Sequence, residues 1–364
     1  MKRDVKKVCF LLGGSKLSGA EKRIIITALD ISKDNRFKVK LITTEELKNE
    51  FLKSELARSD VSYVEWLTRK VSKSKNKYMR RVLNLFLSTI LNIFQLPLRG
   101  SYIHVVLYSD AILLSILPAK LISNSKYLYE VTSPDVAQSS ATKRLLKYDF
   151  LSDQLICVSK SVEERLAAPE KVKVYTRQQP LAYFSSDETS LKKEKLVVYA
   201  HRLVARKNPL LATQAFTILA AEFPGWRFYI CGDGELRNEV EAAVLSAKLQ
   251  NFKYRGYVYE MDKLMEKSKV FVSLIEPDNY PSQSVFNAMA NGNALIVSDT
   301  GSSKDKFIKD NGYAVDLTVD DIVKHVRKLI IDNEVLKSSK KSFELFNSKY
   351  KPELYFDECK SLYL

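Results

Sequence analysis

The 364-residue sequence has few residues of the kinds that hold disulfides and zinc, with four cysteines and three histidines. The cysteines are far apart and form no Cys-x-x-Cys pair, and three of them lie in apolar, strand-like runs. This pattern is typical of buried thiols in a reducing compartment, and it argues against a disulfide framework or a zinc site. The four are Cys9, Cys157, Cys231 and Cys359.

Long hydrophobic runs are also missing. The N-terminus has basic residues but neither a long apolar core nor a small-residue cleavage site, so we expect no signal peptide and a cytoplasmic protein. The most apolar segment, residues 79–96, is too short and too regularly interrupted by polar residues for a confident membrane span. No internal repeat is present.

The charge is distributed unevenly between the two halves of the chain. Residues 1–180 carry 32 Lys and Arg against 18 Asp and Glu, whereas residues 181–364 carry 26 against 25. A cationic half predicts a polyanionic partner, either nucleic acid or an anionic membrane surface. The length and an apolar fraction of 46% suit two domains, each with its own core.

Residues 68–97 combine a basic loop with an amphipathic helix. Residues 68–81 hold seven cations and no acid, and residues 79–96 are apolar except along one helical face that includes Arg81, Asn84 and Ser88. Two interpretations are open: a core helix beneath a basic loop, or an interfacial helix on anionic lipid. Nucleic acid is the weaker hypothesis, because no base-stacking aromatics accompany the cations.

The most informative stretch is residues 276–305, which follows an apolar run at 270–275. A Pro- and Ser-rich turn leads into a short helix that Gly292 ends, and an apolar strand at 294–297 leads into another turn of small residues. Strand, turn, helix and strand in this order predict an α/β domain that holds a phosphorylated ligand at its strand ends.

The segment NYPSQSVFNAMANGNALIVSDTG resembles the donor-site signature of retaining, GT-B-fold glycosyltransferases of family 4. The two glutamates of the family, eight positions apart, fall on Asn279 and Asn287, or the first falls on Asp278 if the turn carries one extra residue. Asparagine can accept a ribose or sugar hydroxyl through its carbonyl, but without charge assistance. The resemblance implies donor-binding roles for Asp278, Asn279, Ser282, Gln283, Ser284, Val285 and Asn287.

Shorter matches extend the resemblance along the chain. In residues 201–209, Arg202 and Lys207 match the family pattern Gly-Arg-Leu-x-x-x-Lys, with His201 in place of the glycine. A guanidinium and an ammonium at a strand end suit a diphosphate, and we assign both to catalysis as stabilisers of the leaving group. Gly14 and Gly232 lie in turns that resemble the family's glycine loops.

One departure concerns the first half. Many members of the family place a histidine near the end of the strand that residues 126–131 form here, and this chain has none at that point. Glu130 and Asp135 are the nearest polar candidates for an acceptor hydroxyl or for sugar recognition, although a structural turn is an alternative. Of these two, Glu130 is our candidate catalytic residue.

The resemblance implies an α/β, GT-B fold with two Rossmann-like β/α/β domains and an interdomain cleft. We predict an acceptor domain at 1–175 and a donor domain at 176–349, with a C-terminal helix at about 350–364 that packs back on the first domain. The boundary follows from the Pro- and Ser-containing, charged segment 168–195.

The implied activity is transfer of a sugar, with retention, from a UDP- or GDP-sugar to a lipid-linked or cell-surface glycan. No Asp-x-Asp occurs in the chain, so we expect neither a metal nor another cofactor. The basic, apolar first half predicts a peripheral position on the inner face of an anionic membrane, with no nucleic-acid partner. The alternative is a catalytically degenerate GT-B protein that binds a sugar or nucleotide without turnover.

Overall fold

The computed structural model describes residues 5–14, 17, 19–54, 64–69, 76–97, 99–107, 109–170, 172–176, 193–332 and 334–364. The chain divides into two compact units, residues 1–179 with 356–364 (unit 1) and residues 180–355 (unit 2). Each unit is built around one parallel sheet with helices between the strands, which confirms the predicted α/β class.

In the part of unit 1 that the structure describes, the sheet order is β3-β2-β1-β4-β5-β6-β7. The strands are β1 Lys6–Leu11, β2 Phe37–Thr44, β3 Glu65–Arg69, β4 Arg99–Leu107, β5 Asn124–Val131, β6 Gln154–Cys157 and β7 Val174–Thr176. The helices are α1 Gly19–Ser32, α2 Glu45–Lys53, α3 Lys77–Gln95, α4 Asp110–Ile122, α5 Pro134–Ala137, α6 Ser140–Lys147 and α7 Lys160–Leu166.

In the described part of unit 2 the sheet order is β10-β9-β8-β11-β12-β13. The strands are β8 Glu194–Ala200, β9 Arg227–Cys231, β10 Phe252–Tyr254, β11 Ser268–Ser273, β12 Ala294–Ser298 and β13 Gly312–Val315. The helices are α8 Pro209–Glu222, α9 Arg237–Ser246, α10 Met261–Lys267, α11 Gln283–Ala290, α12 Ser303–Phe307, α13 Val319–Ile331 and α14 Val335–Lys349.

The central strands of unit 2 are buried on both faces, which is why they read as continuous apolar runs. On one face Val272 joins Phe216 and Ile322 in a core that α8 and α13 cover. On the other face Phe271 joins Phe286 of α11, and α14 covers that core. Helix α11 ends where the sequence predicts, since Gly292 adopts a left-handed φ of 61°.

The chain ends with helix α15, Pro352–Ser361, and residues 356–364 belong to unit 1. Tyr363 is fully buried there, and its hydroxyl lies 2.6 Å from His104 Nδ1. Lys360 pairs with Asp30 of α1 at 2.9 Å, and Tyr175 donates to Glu358 at 3.0 Å. These contacts tie the last residues of the chain to β4, β7 and α1 of unit 1.

Helix α3 presents a wide apolar face to solvent. Its Asn92 is buried and donates to the carbonyl and hydroxyl of Ser115 on α4, at 2.9 and 3.0 Å. The opposite side carries large exposed side chains at helical spacing, namely Tyr78, Met79, Val82, Leu83, Phe86, Leu87, Ile90 and Phe94. No described helix is both long and apolar enough to cross a bilayer.

The C-terminal contact yields a stability prediction for unit 1. Tyr363→Ala removes a fully buried ring and should lower the free energy of unfolding by about 3–5 kcal/mol. Tyr363→Phe keeps the ring but loses the hydroxyl contact with His104, which should cost about 1 kcal/mol. Urea unfolding measures both values. Leu364→Ala is the control, because that side chain is 59% exposed, and equal effects of the three changes would contradict the prediction.

Candidate functional site

The candidate site of unit 2 lies where the strand order reverses. After β8 the chain continues to β9 and β10 on one side and then crosses to β11 on the other, so the carboxyl ends of β8 and β11 form a switch point. The turns after these strands are joined by hydrogen bonds. Glu276 N donates to the carbonyl of Arg206 at 2.9 Å, and Asn208 Nδ2 donates to that of Leu274 at 3.2 Å.

Lys207 ends a short 3₁₀ turn of residues 205–207 at this point. Its backbone is fixed because the Tyr199 hydroxyl donates to its carbonyl at 2.6 Å and Asn208 follows with a left-handed φ of 53°. Burial lowers the pKa of the Lys207 ammonium to about 7, and the charge of Arg206 adds to this shift. A partly desolvated ammonium next to another cation is a group that gains from a bound anion.

Arg202 and Arg206 are exposed on the same turn. The backbone between them is held by Leu203, which is fully buried, donates to Asp233 O at 3.0 Å and accepts from Leu236 N at 3.0 Å. The structure therefore brings predicted residues Arg202 and Lys207 onto one rigid turn. Arg206 is a third cation that the sequence comparison with the family pattern did not single out.

Helix α11 begins beside this turn. Ser282 is its N-cap residue, but its side chain accepts no hydrogen bond from the first turn of the helix. A helix start without a side-chain cap offers N–H groups and the positive end of the dipole to an anion. The Ser284 hydroxyl lies 3.3 Å from His201 Nδ1 and 3.1 Å from the hydroxyl of Ser282. These contacts hold the helix start, with Gln283 and Val285, against the end of β8.

His201 occupies the position where the family pattern has glycine. Its ring packs edge-on to Tyr199 at 5.1 Å and against Phe271 at 5.8 Å. Burial, together with the charges of Lys207 and Arg206, holds the pKa of His201 well below its usual range, so the imidazole is neutral at physiological pH. The side chain thus adds a polar group without adding charge.

Asp278 and Asn279, the two candidates for the first family glutamate, both hold the protein's own loops. Asn279 is buried, accepts from the Ser273 hydroxyl at 2.9 Å and donates to the Ser273 carbonyl at 2.8 Å. Asp278 accepts from Tyr280 N at 2.9 Å and from the Ser302 hydroxyl at 3.2 Å. Their contacts with a donor sugar stay a prediction.

Asn287, at the second glutamate position, lies one helical turn after Ser284 and is partly buried. Its Nδ2 lies 3.5 Å from Oδ1 of Asp262, in the first turn of α10. Its Oδ1 is buried and makes no hydrogen bond to another described residue. Asp262 carried no motif in the sequence, and only the packing of α10 beside α11 brings it to the site.

Gly232 has a packing reason for being glycine. Its φ is 135°, and the carbonyl of His201 occupies the space that a Cβ atom would need. Its N–H donates to the carbonyl of Gly256 at 2.7 Å. The residue therefore lets the turn after β9 close on the turn after β8, and its contact with a donor stays a prediction.

The candidate residues of unit 1 lie in a different environment. Gly14 accepts from the Thr44 hydroxyl at 3.1 Å, and a Cβ there would lie 2.5 Å from Oε1 of Glu21. The neighbouring loop residues 15, 16 and 18 lie outside the described residues. Gly14 is thus packed against the first turn of α1, and its predicted contact with a donor is not tested by this arrangement.

Glu130 is fully buried in a network of charged and polar groups. It pairs with Arg23, whose Nη1 lies 3.2 Å from Oε2, and with His104, whose Nε2 lies 3.3 Å from the same oxygen. Burial alone would raise the pKa of Glu130, but Arg23 and His104 together hold it below its usual range. The carboxylate has internal partners, and its catalytic role stays a prediction.

Both sheets recur together in solved structures. A glycosyltransferase from Rickettsia africae superposes with a TM-score of 0.73 at 14% identity, covering 99% of this chain and 98% of that one. HepE of Anabaena, solved with UDP and glucose, superposes with a TM-score of 0.74 at 13% identity, covering 98% and 99%. At these identities the likeness shows the fold, which is the predicted GT-B arrangement of two Rossmann-like domains.

The sequence comparisons concern part of the chain. Residues 184–343 match the family model of glycosyl transferases group 1. An alpha-1,4-N-acetyl-D-galactosaminyltransferase of Campylobacter jejuni, named for a diNAcBac-PP-undecaprenol acceptor, is 30% identical over 145 residues, which is 40% of either chain. The resemblance seen in the sequence is therefore confirmed as a match of residues 184–343, within unit 2, to glycosyl transferases group 1 on a GT-B fold.

The lowered pKa of Lys207 predicts how anion binding depends on pH. Above pH 7 the free ammonium loses its proton, so binding of UDP must take up a proton and should weaken by up to about tenfold for each pH unit between 7.5 and 9. The terminal phosphate is already deprotonated in that range. Isothermal titration calorimetry measures the affinity and, in two buffers, the proton uptake.

Lys207→Arg carries a charge that does not titrate and should give a flat profile in the same range. Lys193 supplies the matched control, because burial also lowers its pKa to about 7 but it donates to the carbonyls of Met265 and Asn291. Lys193→Arg should keep the slope of the unchanged protein. A slope that persists in Lys207→Arg would contradict the assignment.

Proposed function

We propose that the protein is a nucleotide-sugar-dependent glycosyltransferase that acts with retention and without a metal. The observation that carries the proposal is the cationic turn of Arg202, Arg206 and Lys207 beside the start of α11. A diphosphate fits this arrangement because it presents two anionic groups to fixed cations and to helix N–H groups. The match of residues 184–343 to glycosyl transferases group 1 supports the same conclusion.

Catalysis follows from where negative charge develops. As the bond between the sugar and the diphosphate breaks, charge grows on the leaving phosphate oxygen, and a guanidinium and an ammonium already in place stabilise it more than they stabilise the intact donor. Because their backbone is fixed by the contacts of Leu203 and Tyr199, little reorganisation is needed. In this proposal the two cations stabilise the charge on the leaving diphosphate, the role that a bound metal ion has in metal-dependent phosphate chemistry.

For the acceptor we propose a lipid-linked glycan. The Campylobacter jejuni relative is named for an undecaprenol-linked acceptor, and unit 1 offers a surface suited to a bilayer. A donor of the UDP type is the leading candidate, because structures of the same fold have been solved with UDP and UDP-glucose. The test below also includes GDP-sugars. In this proposal the cationic turn contacts the diphosphate, which UDP- and GDP-sugars share, and not the base.

The lipid-facing surface in this proposal is the apolar face of α3. Phe86 and Phe94 are 61% and 81% exposed, and six further apolar side chains of the same helix are exposed with them. Arg80 and Arg81 are exposed at the start of the same helix, and the sequence just before it is rich in lysine. Apolar side chains flanked by cations suit a membrane with anionic headgroups.

A degenerate protein without turnover is the second candidate. The observation in its favour is that Asn279 is turned into the end of β11 and that Asn287 has no charge. Such a protein would bind a nucleotide without consuming the nucleotide sugar. Activity measurements therefore separate the two candidates.

The first test is kinetic. Purified protein is incubated with UDP- and GDP-sugars and a lipid-linked acceptor, in EDTA and in magnesium, and release of nucleoside diphosphate is followed. Lys207→Ala and Arg202→Ala should each lower kcat/KM by about 100-fold or more, since each removes a charge that acts on the leaving group. Asn287→Ala should cost less, because it removes a neutral hydrogen bond.

Anomeric configuration of the product is read by NMR. Dependence on magnesium, or an inverted product, would overturn the corresponding part of the proposal. Binding of the nucleotide sugar without any turnover would favour the degenerate protein. A larger loss for Asn287→Ala than for either cation would contradict the assignment of the leaving-group site.

The second test concerns the membrane. The protein should co-sediment with vesicles containing phosphatidylglycerol and much less with pure phosphatidylcholine, since each Lys or Arg near an anionic surface contributes about 1 kcal/mol. Phe86→Glu/Phe94→Glu should reduce binding by at least about tenfold, because two large apolar side chains no longer enter the bilayer.

The control introduces two glutamates at exposed leucines outside α3. Leu245→Glu/Leu336→Glu alters two leucines of unit 2 that are 71% and 77% exposed, and it lowers the net charge equally. This variant should bind vesicles almost as the unchanged protein does. Equal losses for the two double variants would mean that net charge, and not the face of α3, governs binding.

A further inference from the structure

The imidazole of His201 is a side chain that the family pattern, with glycine at this position, does not have. We infer that His201 is a positioning residue, whose Nδ1–H donates to the hydroxyl of Ser284 so that Ser284 donates its own proton to a phosphate of the bound nucleotide. The inference deepens the proposed function and rests on it, because it assigns an orientation within the same diphosphate site.

Position in the fold is the first argument. His201 follows β8 directly, and Ser284 is the second residue of α11, at the carboxyl edge of the sheet that also carries Lys207. His201 Nδ1 and Ser284 Oγ form a hydrogen bond of 3.3 Å. The ring is held in place by its contacts with Tyr199 and Phe271. Ser284 itself is only partly buried, so its hydroxyl is fixed from the side of the imidazole.

The second argument concerns the ring nitrogen that carries the proton. Burial and the charges of Lys207 and Arg206 hold the pKa of His201 well below its usual range, so the imidazole carries a single proton at neutral pH. Its Nε2 is buried and makes no hydrogen bond to another described residue. A buried N–H without an acceptor is rarer in folded proteins than a buried acceptor without a donor, which favours the proton on Nδ1. Nδ1 is then the donor and Ser284 Oγ the acceptor.

The third argument is the effect of this assignment on the hydroxyl of Ser284. A serine hydroxyl has one proton and two lone pairs. When Nδ1–H occupies a lone pair, the proton is left for another acceptor, whereas the opposite tautomer would take that proton and leave lone pairs to face an anion. The Ser282 hydroxyl, 3.1 Å away, can donate or accept and so does not decide the orientation. Ser284 therefore adds an O–H donor to the N–H groups of the helix start, which favour an anion.

The test measures nucleotide affinity by calorimetry at pH 7. UDP and GDP are titrated first, and the tighter of the two is used for every variant. Ser284→Ala should weaken its binding by about tenfold or more, because a hydrogen bond to a charged group is lost. His201→Phe keeps an aromatic ring in the same place but has no N–H, and it should weaken binding by about fivefold. Adding Ser284→Ala to His201→Phe should then cost only about twofold more, because the hydroxyl is no longer oriented.

Two further measurements separate positioning from a merely structural role. His201→Asn places an amide N–H at the position of Nδ1 and should recover most of the affinity that His201→Phe loses. The matching nucleoside, uridine or guanosine, has no phosphate, and saturation-transfer NMR should show that His201→Phe binds it as the unchanged protein does. Ser246→Ala is the matched control, since it removes an exposed hydroxyl at the end of α9, and it should leave the affinity for the nucleotide unchanged.

The outcomes distinguish the inference from the proposed function. If Ser284→Ala weakens binding by the same factor with His201 and with His201→Phe, the inference is wrong while the proposed function stands. The inference also fails if His201→Asn binds no better than His201→Phe, or if His201→Phe loses the nucleoside as strongly as the nucleotide. If neither UDP nor GDP binds the unchanged protein, the proposed function itself fails and the inference with it.

Discussion

The constraint on which the site of unit 2 depends is the partial burial of the Lys207 ammonium. Its pKa of about 7 lies below the ordinary value of 10.5, so the folded state holds this proton less tightly than the unfolded chain does. The free energy of unfolding therefore rises with pH between these two values, and the charged form costs stability at neutral pH. In the proposed function, a diphosphate bound beside the ammonium offsets that cost.

Around this turn, most polar side chains hold loops. Asp278 and Asn279 fix the turn after β11 to Ser302 and to Ser273, and Gly232 lets the turn after β9 approach β8. Such contacts fix the turns around Lys207 and the start of α11, which is the preorganisation that the proposed stabilisation of a leaving group requires. At the second glutamate position of the family pattern this chain has Asn287, whose Nδ2 lies 3.5 Å from Oδ1 of Asp262.

The central interaction in unit 1 is the burial of the charged side chain of Glu130. A buried Glu130 is tolerable only because Arg23 and His104 surround it, and His104 in turn contacts the hydroxyl of Tyr363 from the last residues of the chain. The interior is therefore closed by a polar network, while the apolar face of α3 is left outside. These exposed side chains are the ones that the proposed membrane contact would bury.

The sequence by itself determined the α/β class, the strands at 126–131, 270–275 and 294–297, and the end of α11 at Gly292. It also determined that Arg202 and Lys207 are neighbours, because each of these features depends on local periodicity or on residues close together in the chain. Only the tertiary structure decided that Glu130 is enclosed by Arg23 and His104, that Asn279 turns toward Ser273, and that Asp262 meets Asn287. These contacts join residues from different strands and helices. Their distances follow from sheet order and helix packing, which no local pattern in the chain encodes.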